Sequence, residues 1–385
     1  MPPMPTNQEK EQLWQAYRDH KPTRVPVVYG VNPRVVALDP KWNRRGISFK
    51  EYFYDAAATI EIQRGFLDYQ HEYLNNYCDR PTGKPKEWGF YADCQNVTDS
   101  AYFGGPLEFR EGQVCDIHPY LAGEGKNHIF DIDINRPLDN PFMKDLFSRY
   151  EKLKAAVAKL PDDGIKYKVS PPLAGFDGPL TVATNLRGPE LYTDFYEDPA
   201  YVRKLLDFIQ AGAIIRNKAT HEAFGRQYLT GDAWFADDSI QLISTPMYVE
   251  WILPLHRRFY DNWPKDSARF IHLCGDVQRH MPTIIKELGV RSWDTGFPVD
   301  LGRARQELGD EVEIHGGPEV ALLLHGSAQR VYERTAQILQ SGVMRGGRFT
   351  LREANNLPPG CPEENLSAMY RASLDHGQYA PATQA

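Results

Sequence analysis

The run His272-Leu273-Cys274-Gly275 offers the most specific chemistry in the chain. Residues two apart on a β-strand project from one face, so the imidazole and the thiol point the same way. Nitrogen beside sulfur suits a borderline-soft metal such as zinc. A zinc-bound thiolate activates, or exchanges with, a substrate thiol. The same two residues also describe a hydrogen-bonded histidine beside a small buried thiol. Further ionisable residues end apolar or β-forming runs: Asp232, Asp294, His315 and Glu353. Of these, Asp232, Asp294 and His315 are the catalytic candidates, for moving protons or orienting substrate. Weaker candidates for substrate contact are Arg34, Asn96 within Asp93-Cys94-Gln95-Asn96, and Tyr102 within Tyr102-Phe103-Gly104. Gly316-Gly317-Pro318 either brings backbone N–H groups to an anionic substrate or makes a tight turn. Asp237 and Asp238 either serve a cation or favour a turn.

These residues need strands to carry them. Arg226–Thr230, Arg269–Cys274, Val290–Trp293, Glu311–Ile314 and Arg348–Leu351 read as strands. Helical patterns separate them: Thr245 to Arg258, Met281 to Leu288, Leu301 to Leu308, and a helix capped by Ser327 running to Leu339. Tyr201 to Phe224 is a further helix behind Asp198 and Pro199, and Pro362 opens the last one. Arg24–Tyr29, Glu72–Tyr77 and Tyr167–Pro171 bring the strand candidates to eight. Strand–helix succession implies parallel strands joined by right-handed crossovers. Eight such units over 385 residues favour a single α/β domain, a (β/α)₈ TIM barrel, over a doubly wound sheet. In such a barrel the catalytic groups come from the carboxyl ends of the strands.

The barrel is expected to span residues 9–377. Residues 78–140, rich in Gly, Tyr, Asp and Asn, read as a long loop excursion over the barrel mouth. Residues 1–8 and 378–385 read as flexible tails. A net charge of −7 gives no reason to expect nucleic acid as a partner. No apolar run reaches membrane length, and the amino terminus lacks a secretory pattern. Cys78, Cys94, Cys115, Cys274 and Cys361, an odd and scattered set, read as reduced thiols. The cytoplasm is the compartment these features predict. The substrate is expected to be a small molecule.

The segments GPLTVATNLRGPELYTDFYEDP (178–199), ADDSIQLISTPMYVEWILPLHRR (236–258), HLCGD (272–276), WDTGFPVDLGRARQELGDEVEIHGGPEVALLLHG (293–326) and LPPGCPEENLSAM (357–369) resemble the uroporphyrinogen decarboxylase superfamily over roughly half the chain. That resemblance implies a (β/α)₈ barrel. One branch of the superfamily decarboxylates a tetrapyrrole without a metal, using an arginine-rich loop after the first strand. Here that loop is Tyr29-Gly30-Val31-Asn32-Pro33-Arg34, which leaves Arg34 alone to hold a carboxylate. The other branch comprises zinc- and corrinoid-dependent methyltransferases with a His-x-Cys ligand pair and a distant cysteine. His272 and Cys274 match that pair, whereas Asn355 stands at the usual third-ligand position and joins the substrate-contact candidates. Cys361 occupies the usual N-cap threonine of a Thr-Pro-x-Glu start, with Glu364 as the box glutamate. A thiol there costs about 1 kcal/mol as a cap, and the helix dipole would lower its pKa. Cys361 is the third-ligand candidate and Glu353 its alternative. The expected function is zinc-assisted methyl transfer, linked to a corrinoid partner protein or to a thiol. Metal-free decarboxylation of a carboxylate and a non-catalytic binding barrel are the alternatives. A homodimer stays open.

Overall fold

A computed structural model of the protein describes residues 4–173 and 175–379. They fall into two compact units. One is built from the described residues of 1–44, 64–85 and 270–385, the other from 45–63 and 86–269.

The first unit holds parallel strands Arg269–Leu273, Ser292–Thr295, Glu313–Gly316 and Phe349–Leu351. Their register sets His272 opposite Asp294, Asp294 opposite His315, and His315 opposite Thr350. One row across the sheet is therefore polar. The row one residue earlier, Ile271, Trp293, Ile314 and Phe349, is buried and apolar. The alternation follows from the two-residue side-chain period. The helices between these strands are Met281–Leu288, Leu301–Leu308 and Ala328–Ile338. Gly289 ends the first in the left-handed conformation, as glycine does at a helix carboxyl end. Asp300 and Ser327 cap the next two by accepting from the N–H of Arg303 and Arg330.

Val27 bridges Leu351 in parallel, so the expected first strand, Arg24–Tyr29, is present as an extended segment with isolated bridges. Glu72–Tyr77 is not a strand. Tyr69–Tyr73 and Leu74–Tyr77 are helical turns, in which Tyr69, Tyr73 and Tyr77 meet one another and Trp42 through edge-on and tilted ring contacts. The amino-terminal tail is shorter than expected. Thr6 and Glu9 form a reciprocal capping box that starts the Asn7–Arg18 helix. At the other end Tyr379 N–H donates to Thr23 O. The rest of the expected tails, residues 1–3 and 380–385, lies outside the described residues.

In the second unit, Glu87–Phe90 pairs in parallel with Lys166–Val169. Phe90 buries with Ile60, Leu153 and Val157 under that pair. The expected 78–140 excursion thus contains a parallel strand, together with the Thr98–Tyr102 helix and a short antiparallel pair, Leu107–Glu108 with Asp116–Ile117. Its polar composition hid them. The Pro199–Ala223 helix is capped by Asp198 as its sequence implied. The strand expected at Arg226–Thr230 lies at Ala233–Ala236 instead. Among the described residues the sheets stay open, and no helix is long and apolar enough to cross a membrane.

Candidate active site

In the first unit the polar row ends in a linked set of side chains. Cys274 Sγ lies 2.9 Å from His272 Nε2. His272 Nδ1 donates to Asp294 Oδ2 at 2.7 Å. Arg352 Nη1 donates to Asp294 Oδ1 at 2.7 Å, and its Nη2 to Glu353 Oε1 at 2.7 Å and to the Asn355 carbonyl. Gly30 N–H donates to Glu353 at 3.0 Å.

Electrostatics follow from these contacts. Burial alone would push His272 down, but Asp294 and Cys274 together hold it well above its ordinary value. Burial would raise Asp294. The hydrogen bond from His272 and the charge of Arg352 outweigh it and keep the carboxyl below its usual range. Glu353, fully buried, is pushed by that burial up to about 7 despite Arg352. The result is an imidazole with its Nδ1 held by Asp294 and its Nε2 facing sulfur.

Backbone shape supports the set. Gly296 follows the Ser292–Thr295 strand, and a Cβ there would lie 2.6 Å from Cys274 Cα and 3.1 Å from its Sγ. Gly30 leaves room for the Arg352 guanidinium in the same manner, and Gly317 for the Arg352 carbonyl. Gly316 and Gly317 therefore serve close chain approach here; the Arg352 N–H donates to Gly316 O at 3.0 Å.

The expected site residues divide. His272, Cys274 and Asp294 come together. His315 stands beside Asp294 in the row, yet its Nε2 meets Ser292 Oγ at 3.0 Å and Glu313 at 3.3 Å. Glu353 is engaged by Gly30 and Arg352. Cys361 is not a cap, because Pro362 occupies the N-cap position of the Glu363–His376 helix. Its thiol is buried and donates to Leu323 O at 3.4 Å. Burial, then the Glu353 charge, pushes that thiol up to about 12, the reverse of the dipole expectation. Among the described residues, neither Cys361 nor Glu353 forms a close ligand set with His272 and Cys274. Asn355 adopts φ 113°, an uncommon conformation that asparagine tolerates, and offers its carbonyl to Arg352. Arg34, half-buried, opens the short Arg34–Ala37 helix.

In the second unit Asp232 is exposed and precedes its strand instead of ending it, since the strand begins one residue later. Asp237 is buried and used up: it accepts from Thr181 N–H at 2.7 Å and pairs with His256 at 2.9 Å. Tyr102 is fully buried against Phe103, with the Arg216 guanidinium 5.8 Å from its ring, so it packs the core instead of meeting substrate. Asn96 is exposed and lines a cavity. Sequence reasoning missed Arg352, although an arginine directly after an apolar strand and beside a glutamate was a readable signal. It also missed Asp177, an acid inside the run Gly175-Phe176-Asp177-Gly178.

The fold and site thus define an α/β protein whose parallel strands end in a thiol–imidazole–carboxylate set. The family model described as Uroporphyrinogen decarboxylase (URO-D) matches residues 100–375, and the chain belongs to that family. The chain is 31% identical over 204 residues to a methylated-thiol–coenzyme M methyltransferase of Methanosarcina mazei, covering 50% of each chain. It is 24% identical over 219 residues to a methylcobamide:CoM methyltransferase of Methanosarcina acetivorans, covering 55% of this chain and 60% of that one. It is 25% identical over 225 residues to a uroporphyrinogen decarboxylase of Saccharophagus degradans, covering 52% and 58%. The matches span about half the length of these relatives. A solved methyltransferase from Methanosarcina mazei shares the fold at TM-score 0.60 and 16% identity, over 96% of this chain and 98% of that one. Family and fold likeness place the chain in the α/β TIM-barrel class.

Proposed function

We propose that this protein is a methyltransferase that delivers a methyl group to or from a thiol, with His272, Cys274 and Asp294 at its chemical centre. The observation that carries the reading is the 2.9 Å approach of Cys274 Sγ to His272 Nε2, with Asp294 on the other ring nitrogen. A carboxylate there fixes the tautomer and orientation of a ligating imidazole. The donor set therefore fits zinc, held by His272 Nε2 and Cys274 Sγ. Zinc bound there would act as a Lewis acid that keeps a substrate thiol ionised at neutral pH. Asp294 keeps the ring aligned, and Arg352 keeps Asp294 charged. A carrier of the corrinoid kind fits the methylcobamide relative, and a small thiol fits the substrate of both methyltransferase relatives. Closure of the parallel strands into a ring, with the part of the 78–140 region after the Glu87–Phe90 strand over its mouth, belongs to the same proposal. So does the cytoplasm, which suits five unbridged cysteines.

The test is metal content and turnover on the same preparations. Expected are about one zinc per chain, lost in Cys274→Ser, and thiol-dependent demethylation of methylcobalamin that disappears with it. Metal-free protein that turns over fully would overturn the zinc role. Release of CO₂ from a carboxylate substrate, with no methyl transfer, would favour the decarboxylase reading that the Saccharophagus relative keeps in view.

A further inference from the structure

We propose that the second unit holds a binding site for a small organic cation of the alkylammonium class. A cavity of about 440 Å³ opens there, lined by Asp93, Asp99, Asp177, Asn96, Phe176 and Trp234 among others. That volume admits a small organic molecule. Among the described residues, no lysine, arginine or histidine lines it. A second cavity of about 340 Å³ shares Asn96 and Asp177, adds Asp116 and Asp238, and also lacks a basic lining residue among those described.

The carboxylates are not equivalent. Asp99 is paired with Arg216 at 2.8 Å. Asp93 accepts from the Tyr52 hydroxyl at 2.7 Å and from Gln95 N–H at 2.8 Å. Asp177 borders both cavities, and its N–H donates to Asp99 Oδ2 at 3.0 Å. Its own carboxyl accepts no hydrogen bond among the described residues. Burial, with the neighbouring carboxyls of Asp99, Asp238 and Asp237, raises Asp177 well above the usual carboxylate range, and Arg216 is the opposing charge. Arg216 answers Asp99 and Arg149 answers Asp93, which leaves the Asp177 carboxyl at the cavity without an ion pair of its own among the described residues. A cationic ligand supplies one, whereas an anionic one meets three carboxyls. The aromatic wall agrees. Trp234 is 47% exposed while lining the cavity, and it lies so close to Gly175 that a Cβ there would sit 3.1 Å from the ring. An accessible indole ring attracts a quaternary or protonated amine.

Binding of the cation requires no thiol chemistry. The experiment is isothermal titration of the full-length protein with tetramethylammonium, with neutral tert-butanol and anionic pivalate as probes of similar shape. Tetramethylammonium should bind at least about tenfold more tightly than tert-butanol, and pivalate should give no saturable heat. Asp177→Asn and Trp234→Ala should each weaken the cation about tenfold or more with unchanged circular dichroism. Equal affinity for cation and alcohol in the parent protein would overturn the proposal, even if a variant failed to fold. Binding unaffected in a folded Asp177→Asn protein would overturn it equally. Zinc content and methyl transfer are not read in this titration, so its failure leaves the methyltransferase reading standing.

Discussion

Asp294 stays charged in a mostly buried position because His272 and Arg352 both donate to it. Replacing it by Asn keeps the shape but offers the imidazole a weaker acceptor. Asp294→Asn should lower zinc affinity about 10–100-fold with the fold intact, measured by chelator competition and circular dichroism. An unchanged affinity would mean that the carboxylate does not orient the ligand. Gly296 is the steric counterpart. Ala there places a methyl group against Cys274 Cα and Sγ, so Gly296→Ala should also cost about tenfold or more in zinc affinity. The Cys361 thiol, by contrast, bonds to Leu323 O, and Cys361→Ser should leave metal content at the parent level, checked by elemental analysis.

Between elements, two acids act as ties, Asp79 fully buried and Glu313 half-buried. Asp79 accepts from Arg24 Nη1, Val27 N–H and the Tyr370 hydroxyl, each at 2.7 Å. It joins the extended 24–28 segment to the Glu363–His376 helix with no exposed surface. Asp79→Ala leaves Arg24 buried and unpaired and should cost about 3–5 kcal/mol in denaturant unfolding. Glu313 accepts from Tyr17 at 2.7 Å and faces His315, tying the Asn7–Arg18 helix to its strand. Burial raises its carboxyl, but His315 and Tyr17 more than offset this and bring it from 4.5 to about 2. The folded pKa is the lower one, so the stabilisation is complete above about 4.5 and vanishes as pH falls toward 2. Glu313→Gln should destabilise by up to about 3 kcal/mol at pH 7. The gap between its melting temperature and the parent's should close on acidification; a gap constant with pH would refute the linkage.

For the whole molecule, thiol accessibility is the summary property. Cys78, Cys94, Cys115 and Cys361 are buried, and Cys274 is half-exposed. Burial also raises the first of these to about 11 and the last to about 12. Only the ionised sulfur reacts. In native metal-free protein, therefore, Cys274 should react fast with a disulfide reagent and the rest only on unfolding. Zinc should protect Cys274 until a chelator removes it. Several fast thiols in the native state would contradict the burial pattern.

Local patterns carried much of this. Period-two alternation placed His272 and Cys274 on one face, and Asp198, Ser327 and Gly289 marked helix ends where the chain does start and stop helices. Strand positions drifted by a few residues: Asp294 and His315 sit inside their strands, and Asp232 lies before its own. What local patterns omit is pairing. Nothing near His272 in the chain says that Asp294, 22 residues on, is its neighbour, or that Arg352 closes the set. Those partners come from parallel register, which depends on hydrogen bonds between distant strands. Burial acted likewise on Cys361 and Tyr102: residue type suggested chemistry, and the packing around each placed the group in a closed core. Family resemblance and the thiol–imidazole pair were thus properties of the chain as written, while the protonation and partners of that pair were decided by the fold.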